Sequence, residues 1–379
     1  MTHVRGTAVT AFGRLEGSTT LSLMGDAAAT ALDDSGLERG AIDGLVTGYS
    51  TTMPHLMLST VFAEAFGLRP AYAHSVQLGG ATGAAMLMLG DLLVRSGEAR
   101  NVLIVAGENR LSGQGRSGAI QALAQVGHPT AEVPLGATVP AYYALAASRY
   151  LHETGARERD LAELAVLMRR HATDTGGAHL AAPVTLAEVM ASKPIASPLK
   201  LLDCCPISDG AAAVVLAAEA ANGPAVRIAG AAQAHTHQHV SEAPDDIAAG
   251  ARIASARALE RAGIGLADIG YLAVYDSFTV TLALLLEALG ISAPGAAGAD
   301  ARAGRFGRAG PLPLNTHGGL LSYGHCGVAG AMAHFVEAVR QMTGRCGARQ
   351  VPGAPAHALY HGDGGVLSSH ASLVLERTR

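Results

Sequence analysis

Tyr275, Tyr323 and His325 are the residues of this 379-residue chain whose types and places could move protons. Tyr275 closes an apolar run in "LAVYDSFT", and Tyr323 and His325 stand two positions apart in the Gly-rich "LSYGHCGVAG". Phenols and imidazoles are general acids and bases, although a tyrosine in such a place more often packs or caps. Nucleophile and metal chemistry have weaker claims. Cys204 and Cys205 are adjacent ahead of Pro206, and neither Cys326 nor Cys346 has a CxxC partner, so no zinc-site spacing is present. A buried free thiol is more often a small hydrophobe than a nucleophile; Cys326, beside His325, is the thiol best placed for the exception. The "HTHQH" run, His235–His239, has no carboxylate or Cys at ligand spacing, and no metal is expected there. His317 and His370 read as core or surface residues, and Asp363, in "HGDGG", as a turn former.

The elements that must hold these residues come as an internal repeat. "ALDDSGLERGAIDGLVTGYS" (Ala31–Ser50) aligns without a gap on "ALERAGIGLADIGYLAVYDS" (Ala258–Ser277), each an amphipathic helix closed by Gly, then a turn and a buried strand. "ATGAAMLMLGDLLVRSG" (Ala81–Gly97) aligns on "VAGAMAHFVEAVRQMTG" (Val328–Gly344), each a Gly-rich turn opening a long helix that leads to a strand, Val102–Ala106 or Ala358–His361. The spacing between the two units is longer in the second copy, which places an insertion at Pro294–Pro313. Two similar α/β domains packed face to face follow, with boundaries at 1–220 and 221–379. A helix N-terminus from each copy would point at the shared seam, where it favours an oxyanion. The stretch Asn109–Lys200, with helical runs Pro140–Thr154 and Ala156–Thr173, reads as a loop subdomain inserted in the first domain and covering the seam.

Composition excludes other classes. With 49% hydrophobic and only 15% charged residues, the chain can bury a large core and should hide a wide apolar subunit interface. A net charge of −4, no Trp and few aromatics leave neither phosphate-tracking grooves nor stacking platforms, so nucleic acid is not an expected partner. Four Cys in this length are not a disulfide framework. The start reads directly into a strand-like segment, Gly6–Phe12, and the most apolar helix candidate, Val280–Leu289, is short and carries Glu287, so neither a signal peptide nor a membrane span is expected. A reduced, cytoplasmic location is the corresponding expectation.

Four ordered motifs resemble the thiolase superfamily, in particular its sterol-carrier-protein-like branch. "LKLLDCCPISDGAAAVVLA" (Leu199–Ala217) resembles the segment that closes the first domain in that branch. "VYDSFTVTLALLLEALG" (Val274–Gly290) resembles the segment that in working thiolases of the branch begins with a catalytic His. "NTHGGLLSYGHCGVAGA" (Asn315–Ala331) resembles the "GHP" loop, and "YHGDGGVLSSHASLVL" (Tyr360–Leu375) the C-terminal "CxGGG" loop. The resemblance implies a thiolase fold, two repeated βαβ-type domains in five α/β/α/β/α layers. It also shows what is missing. In "HSVQLGGATGAA" the family's nucleophilic Cys falls on Gly80, the acid/base Cys on Gly362, and the catalytic His of the third motif on Tyr275; the His of the "GH" pair remains, as His325. An acyl-enzyme through cysteine is therefore closed. This pattern resembles the steroid side-chain aldolases of the branch, which cleave a β-hydroxyacyl-CoA and work with a zinc-ribbon/OB-fold partner protein; it implies Tyr275 and Tyr323 as the acid/base pair.

Retro-aldol cleavage requires a base for the β-hydroxyl, donors for the thioester enolate and an acid for its α-carbon, and no covalent nucleophile. The amides of Gly80 and Gly364 are the candidate oxyanion donors, donors of a kind worth about 3–4 kcal/mol in acyl transfer. Glycine at 80 would also leave room for a bulky alcohol. A phenol of pKa about 10 serves as a base only beside a cation or donor, and His325 is expected either as that neighbour or as a group that helps hold the enolate. The expected partners are an acyl-CoA substrate, a second copy of the chain and the zinc-ribbon/OB-fold protein, giving a heterotetramer; the expected cofactor is none, CoA being part of the substrate. The rival functions are a thiolase-fold acyltransferase using another nucleophile such as Cys326, and a non-catalytic subunit of a complex.

Overall fold

The computed structural model describes residues 1–114, 125–220 and 223–378. Part of the expected loop subdomain (115–124) and the first residues after the expected boundary (221–222) lie outside the described residues. The first half supplies β1 (His3–Val9), β2 (Gly44–Gly48), β3 (Tyr72–Val76), β4 (Asn101–Asn109), a short hairpin of β5 (Pro194–Ala196) and β6 (Leu199–Lys200), and β7 (Asp209–Ala217). The second supplies β8 (Ala225–His235), β9 (Tyr271–Val274), β10 (His357–Gly364) and β11 (Ser369–Thr378). One nine-stranded sheet runs β3-β2-β4-β7-β1-β8-β11-β10-β9. β2 is parallel to β3 and β4, and β7 is antiparallel to β4 and β1. β9, β10, β11 and β8 repeat that pattern, and the halves meet where β1 pairs with β8 at His3 and Val4.

The repeat is seen in the backbone. The helices Thr20–Ser35 and Ala249–Ala262 both end on a left-handed glycine, Gly36 (φ 67°) and Gly263 (φ 71°), each followed by a 3-10 turn and then β2 or β9. The helix Thr82–Ser96 leads to β4, and the helix Val328–Met342 to β10. Where the first copy has β3, the second has a single parallel bridge between Leu272 and Leu314, and the expected insertion contains a short helix, Ala297–Arg302.

The layering follows from which helices lie between the half-sheets. Helix Val328–Met342 touches β1, β4 and β7 on one side and β9 and β10 on the other, and helix Thr82–Ser96 touches β2 and β4 as well as β10 and β11. Helix Thr20–Ser35 covers the outside of the first half-sheet and helix Ala249–Ala262 that of the second. In the central helix Val328–Met342 only Arg340 is not buried, so its polar residues must find partners inside. Gly83 permits the close crossing of the two central helices, since a Cβ there would lie 2.9 Å from Met332 Cγ. The inserted helices Val139–Thr154 and Glu158–Thr173 pack on the helix Thr279–Ala288, over the end of β9.

Candidate active site

Three turns meet at the seam between the halves. The first follows β9, where Tyr275 N–H donates to the His361 carbonyl (3.0 Å) and so extends the strand by one residue beside β10. Next to it, the buried Asp276 carboxylate accepts from Leu320 N–H (2.7 Å) and from His334 Nε2 (2.8 Å). Asp276 thereby ties the Tyr275 turn to the loop that carries His325, and Gly319 is required beside it because a Cβ would meet the carboxylate. Replacing Asp276 with Ala strips a buried His334 and the Leu320 amide of their partner, which should lower the unfolding free energy by about 3–5 kcal/mol; a denaturant titration reads this directly.

The second turn is Leu78–Ala81, ahead of helix Thr82–Ser96. Thr82 Oγ1 accepts from Leu78 N–H (2.8 Å) and donates to the Gly79 carbonyl (2.6 Å), closing the turn around Gly79 at φ +55°. No described residue accepts a hydrogen bond from the Gly80 amide. A Cβ on Gly80 would lie 2.5 Å from the Tyr275 hydroxyl and would also meet the Asp363 carbonyl. The phenol therefore fills the space a side chain at 80 would take, and the room expected there for a bulky alcohol is not open.

The third turn holds His325. Its N–H donates to the Pro206 carbonyl (3.0 Å), and Ser208 N–H donates to its carbonyl (3.1 Å), so the Cys205–Ser208 segment grips it as a short parallel bridge. Its Nε2 lies 3.2 Å from the Tyr275 oxygen, and its Nδ1 accepts from Gly327 N–H (3.2 Å). Burial first, and then the positive charge of Arg110, hold the imidazole at about 3, so it is neutral. With Nδ1 an acceptor, the ring proton sits on Nε2 and is directed at the phenol oxygen. Of the two kinds of neighbour expected for the phenol, a cation or a donor, His325 is thus the neutral donor. Burial pushes the Tyr275 hydroxyl well above its ordinary range, and Arg110 opposes that shift.

Arg110 and Glu108 were not singled out in the sequence. Arg110, 9% exposed, lies just beyond β4 and pairs with the buried Glu108 (Nε to Oε2, 3.4 Å). Glu108 also accepts from Thr51 Oγ1 (2.6 Å) and lies under Gly327, where a Cβ would strike it. Burial raises the Glu108 carboxyl and Arg110 draws it back. The available signal was a pair of charges ending an otherwise apolar strand, "LIVAGENR". Asp209 fixes Arg110's neighbours, its Oδ1 accepting from Leu111 N–H (2.7 Å) and Ser112 N–H (3.0 Å).

Tyr323 is not brought to this group. Its hydroxyl donates to the Thr10 carbonyl (3.0 Å), its ring meets Phe12 edge-on at 4.7 Å, and it lines a separate cavity of about 230 Å³ with His317, Thr175 and Arg340. Gly324, at φ +131°, turns the chain between Tyr323 and His325, and the two side chains part. Gly364 is a further correction. It packs on the Leu78 carbonyl and stands opposite Ser369 in the β10–β11 ladder. The Asp363 carbonyl of the same trans peptide faces Gly80, so the Gly364 N–H points away from that cleft. Gly80, Tyr275 and His325 are the expected site residues that do meet. Burial raises Cys326 well above the ordinary thiol range and Cys204 to about 12, which disfavours the thiolate a nucleophile needs. His317 and His370 are both core residues.

Five layers built on a doubled βαβ unit, with glycine loops meeting at the seam, define a thiolase fold, and the chain belongs to the thiolase family. The family's "Thiolase, N-terminal domain" matches residues 2–220 and its "Thiolase C-terminal domain-like" unit residues 232–377. The chain is 31% identical to an acetyl-CoA acetyltransferase of Methanothermobacter thermautotrophicus, over 97% of its own length and 98% of that protein. It is 32% identical to a steroid side-chain-cleaving aldolase of Thermomonospora curvata, over 89% and 90% of the two chains. A solved structure named Ltp2-ChsH2(DUF35) aldolase superposes with a TM-score of 0.86 at 31% identity, covering 100% of this chain and 98% of that one. No helix among the described residues is long and apolar enough to cross a membrane.

Proposed function

We propose that this chain is an acyl-CoA aldolase, a carbon–carbon lyase that cleaves a β-hydroxyacyl-CoA without an acyl-enzyme. One observation carries the choice between its acyltransferase and aldolase relatives: the Tyr275 phenol, bonded to a neutral His325, occupies the volume beside Gly80. A phenol there can exchange protons but cannot take an acyl group as a thiolate does.

The proton balance closes on Tyr275. As phenolate it takes the proton of the β-hydroxyl; the Cα–Cβ bond breaks, leaving a carbonyl compound and the thioester enolate; the same proton then passes to the enolate α-carbon, giving the shortened acyl-CoA. The His325 Nε2–H and the charge of Arg110 favour the phenolate, which burial opposes. The Gly80 amide, at the start of helix Thr82–Ser96, is the donor offered to the enolate oxygen. No bound cofactor enters this scheme, CoA arriving as part of the substrate.

A bulky, steroid-like acyl chain is the proposed substrate, supported by the name of the Thermomonospora relative. A zinc-ribbon/OB-fold partner is proposed alongside, supported by the second component in the name of the similar solved structure; a homodimer of this chain with two such partners is the assembly we infer. Mixing the chain, with and without a co-expressed partner, with a panel of β-hydroxyacyl-CoA esters should release a carbonyl compound and a shorter acyl-CoA, both detected by mass spectrometry. An acyl adduct on the intact protein, or no cleavage across the panel in either form, would overturn the reading.

A further inference from the structure

We infer that Tyr143, on the inserted helix Val139–Thr154, is a positioning residue that locks the Asp363–Gly365 turn against Gly80; its consequence for turnover rests on the aldolase reading above. Tyr143 is 2% exposed, and its ring stacks on Phe278, three residues after Tyr275, with centroids 4.4 Å apart. Its hydroxyl donates to the Gly365 carbonyl at 2.9 Å and lies 3.3 Å from Asp363 Oδ2. Gly365 sits at φ +70°, and the Gly364 carbonyl is held by Ser368 through N–H (3.2 Å) and Oγ (2.8 Å). The turn so fixed is the one whose Asp363 carbonyl backs Gly80, and a Cβ on Gly79 would lie 2.9 Å from Gly365 N. One phenol thus joins the helix lying over the seam, the segment after Tyr275, and the turn behind Gly80.

Two acceptors face one proton at this contact. The single Tyr143 proton is directed at the Gly365 carbonyl at 2.9 Å, with the Asp363 carboxyl oxygen a second, longer acceptor at 3.3 Å. Asp363 is fully buried and its Oδ1 has no hydrogen-bond partner among the described residues; burial pushes its carboxyl well above the usual range, and the Tyr143 hydroxyl draws it back. Tyr143 is the donor to both, and an Asn at 363 keeps a side-chain oxygen to accept from it.

The test compares Tyr143→Phe and Asp363→Asn in the full chain. A turn displaced by even 1 Å from its working position can cost about 100-fold in rate. Tyr143→Phe should lower kcat about 10- to 100-fold with KM within about threefold of wild type, while Asp363→Asn stays within about threefold in both. Amide exchange in the peptide spanning 362–368 should be faster in Tyr143→Phe and unchanged in Asp363→Asn, a readout that needs no substrate. Unchanged exchange at 362–368 in Tyr143→Phe overturns the proposal, as does an Asp363→Asn variant as impaired as Tyr143→Phe. A loss seen only in KM, or wild-type kcat, does so as well. Faster exchange with a wild-type chain that cleaves no β-hydroxyacyl-CoA would leave the lock standing and remove the aldolase reading instead.

Discussion

Tyr275→Phe should lower kcat for β-hydroxyacyl-CoA cleavage by about 100- to 10,000-fold, the range that a positioned general acid–base group contributes. KM should change little, because Phe keeps the ring against its neighbours and deletes only the hydroxyl. The pH dependence of the wild type carries the sign of the same claim. Burial holds the Tyr275 hydroxyl well above 10, so the phenolate is a small fraction at neutral pH. That fraction grows about tenfold per pH unit until the folded pKa is reached, so kcat should climb with pH through pH 7–9 without a plateau. His325, held at about 3, is neutral throughout and should add no limb near pH 6–7. Retained turnover in Tyr275→Phe, or a bell centred near pH 6.5, would remove Tyr275 as the base.

The second large effect is at Gly80. Gly80→Cys restores the residue type that the family's acyltransferases use there, but its Cβ would lie 2.5 Å from the Tyr275 oxygen, closer than any real Cβ contact. The Asp363 carbonyl behind it is backbone and cannot yield, so the phenol must leave and the bond to His325 is lost. Aldolase kcat should fall about 100-fold or more, as for loss of the base itself, and overpacking should lower stability by about 1–3 kcal/mol. Gly80→Ala should lose as much, since the damage comes from the Cβ and not from the sulfur. Intact mass after incubation with acyl-CoA should show an adduct only where a thiol is present at 80, a position at a helix N-terminus that favours a thiolate. If Gly80→Ala turns over like wild type, the phenol does not work from beside residue 80.

Much of this fold was legible because it is written twice. Gly36 and Gly263 close equivalent helices since each needs a left-handed backbone, and the apolar runs after them have no choice but to be buried strands. The missing sulfur at Gly80 and the phenol at Tyr275 were equally readable, since each departs from a pattern fixed by neighbouring residues. That the two departures compensate each other, the phenol entering the space the side chain vacated, took the tertiary structure to see. For Tyr323 only its place in a motif was legible, and one glycine between it and His325 sends the two side chains apart.

The sequence by itself determined which elements form and which chemistry is closed, because helix ends, strand runs and the absence of a thiol are local properties of residue type. Only the tertiary structure decided which of the candidate residues meet, because burial, charge and proton direction depend on residues far apart in the chain. Arg110 acts on His325 across more than two hundred positions, and Gly327 fixes which nitrogen of that ring carries the proton.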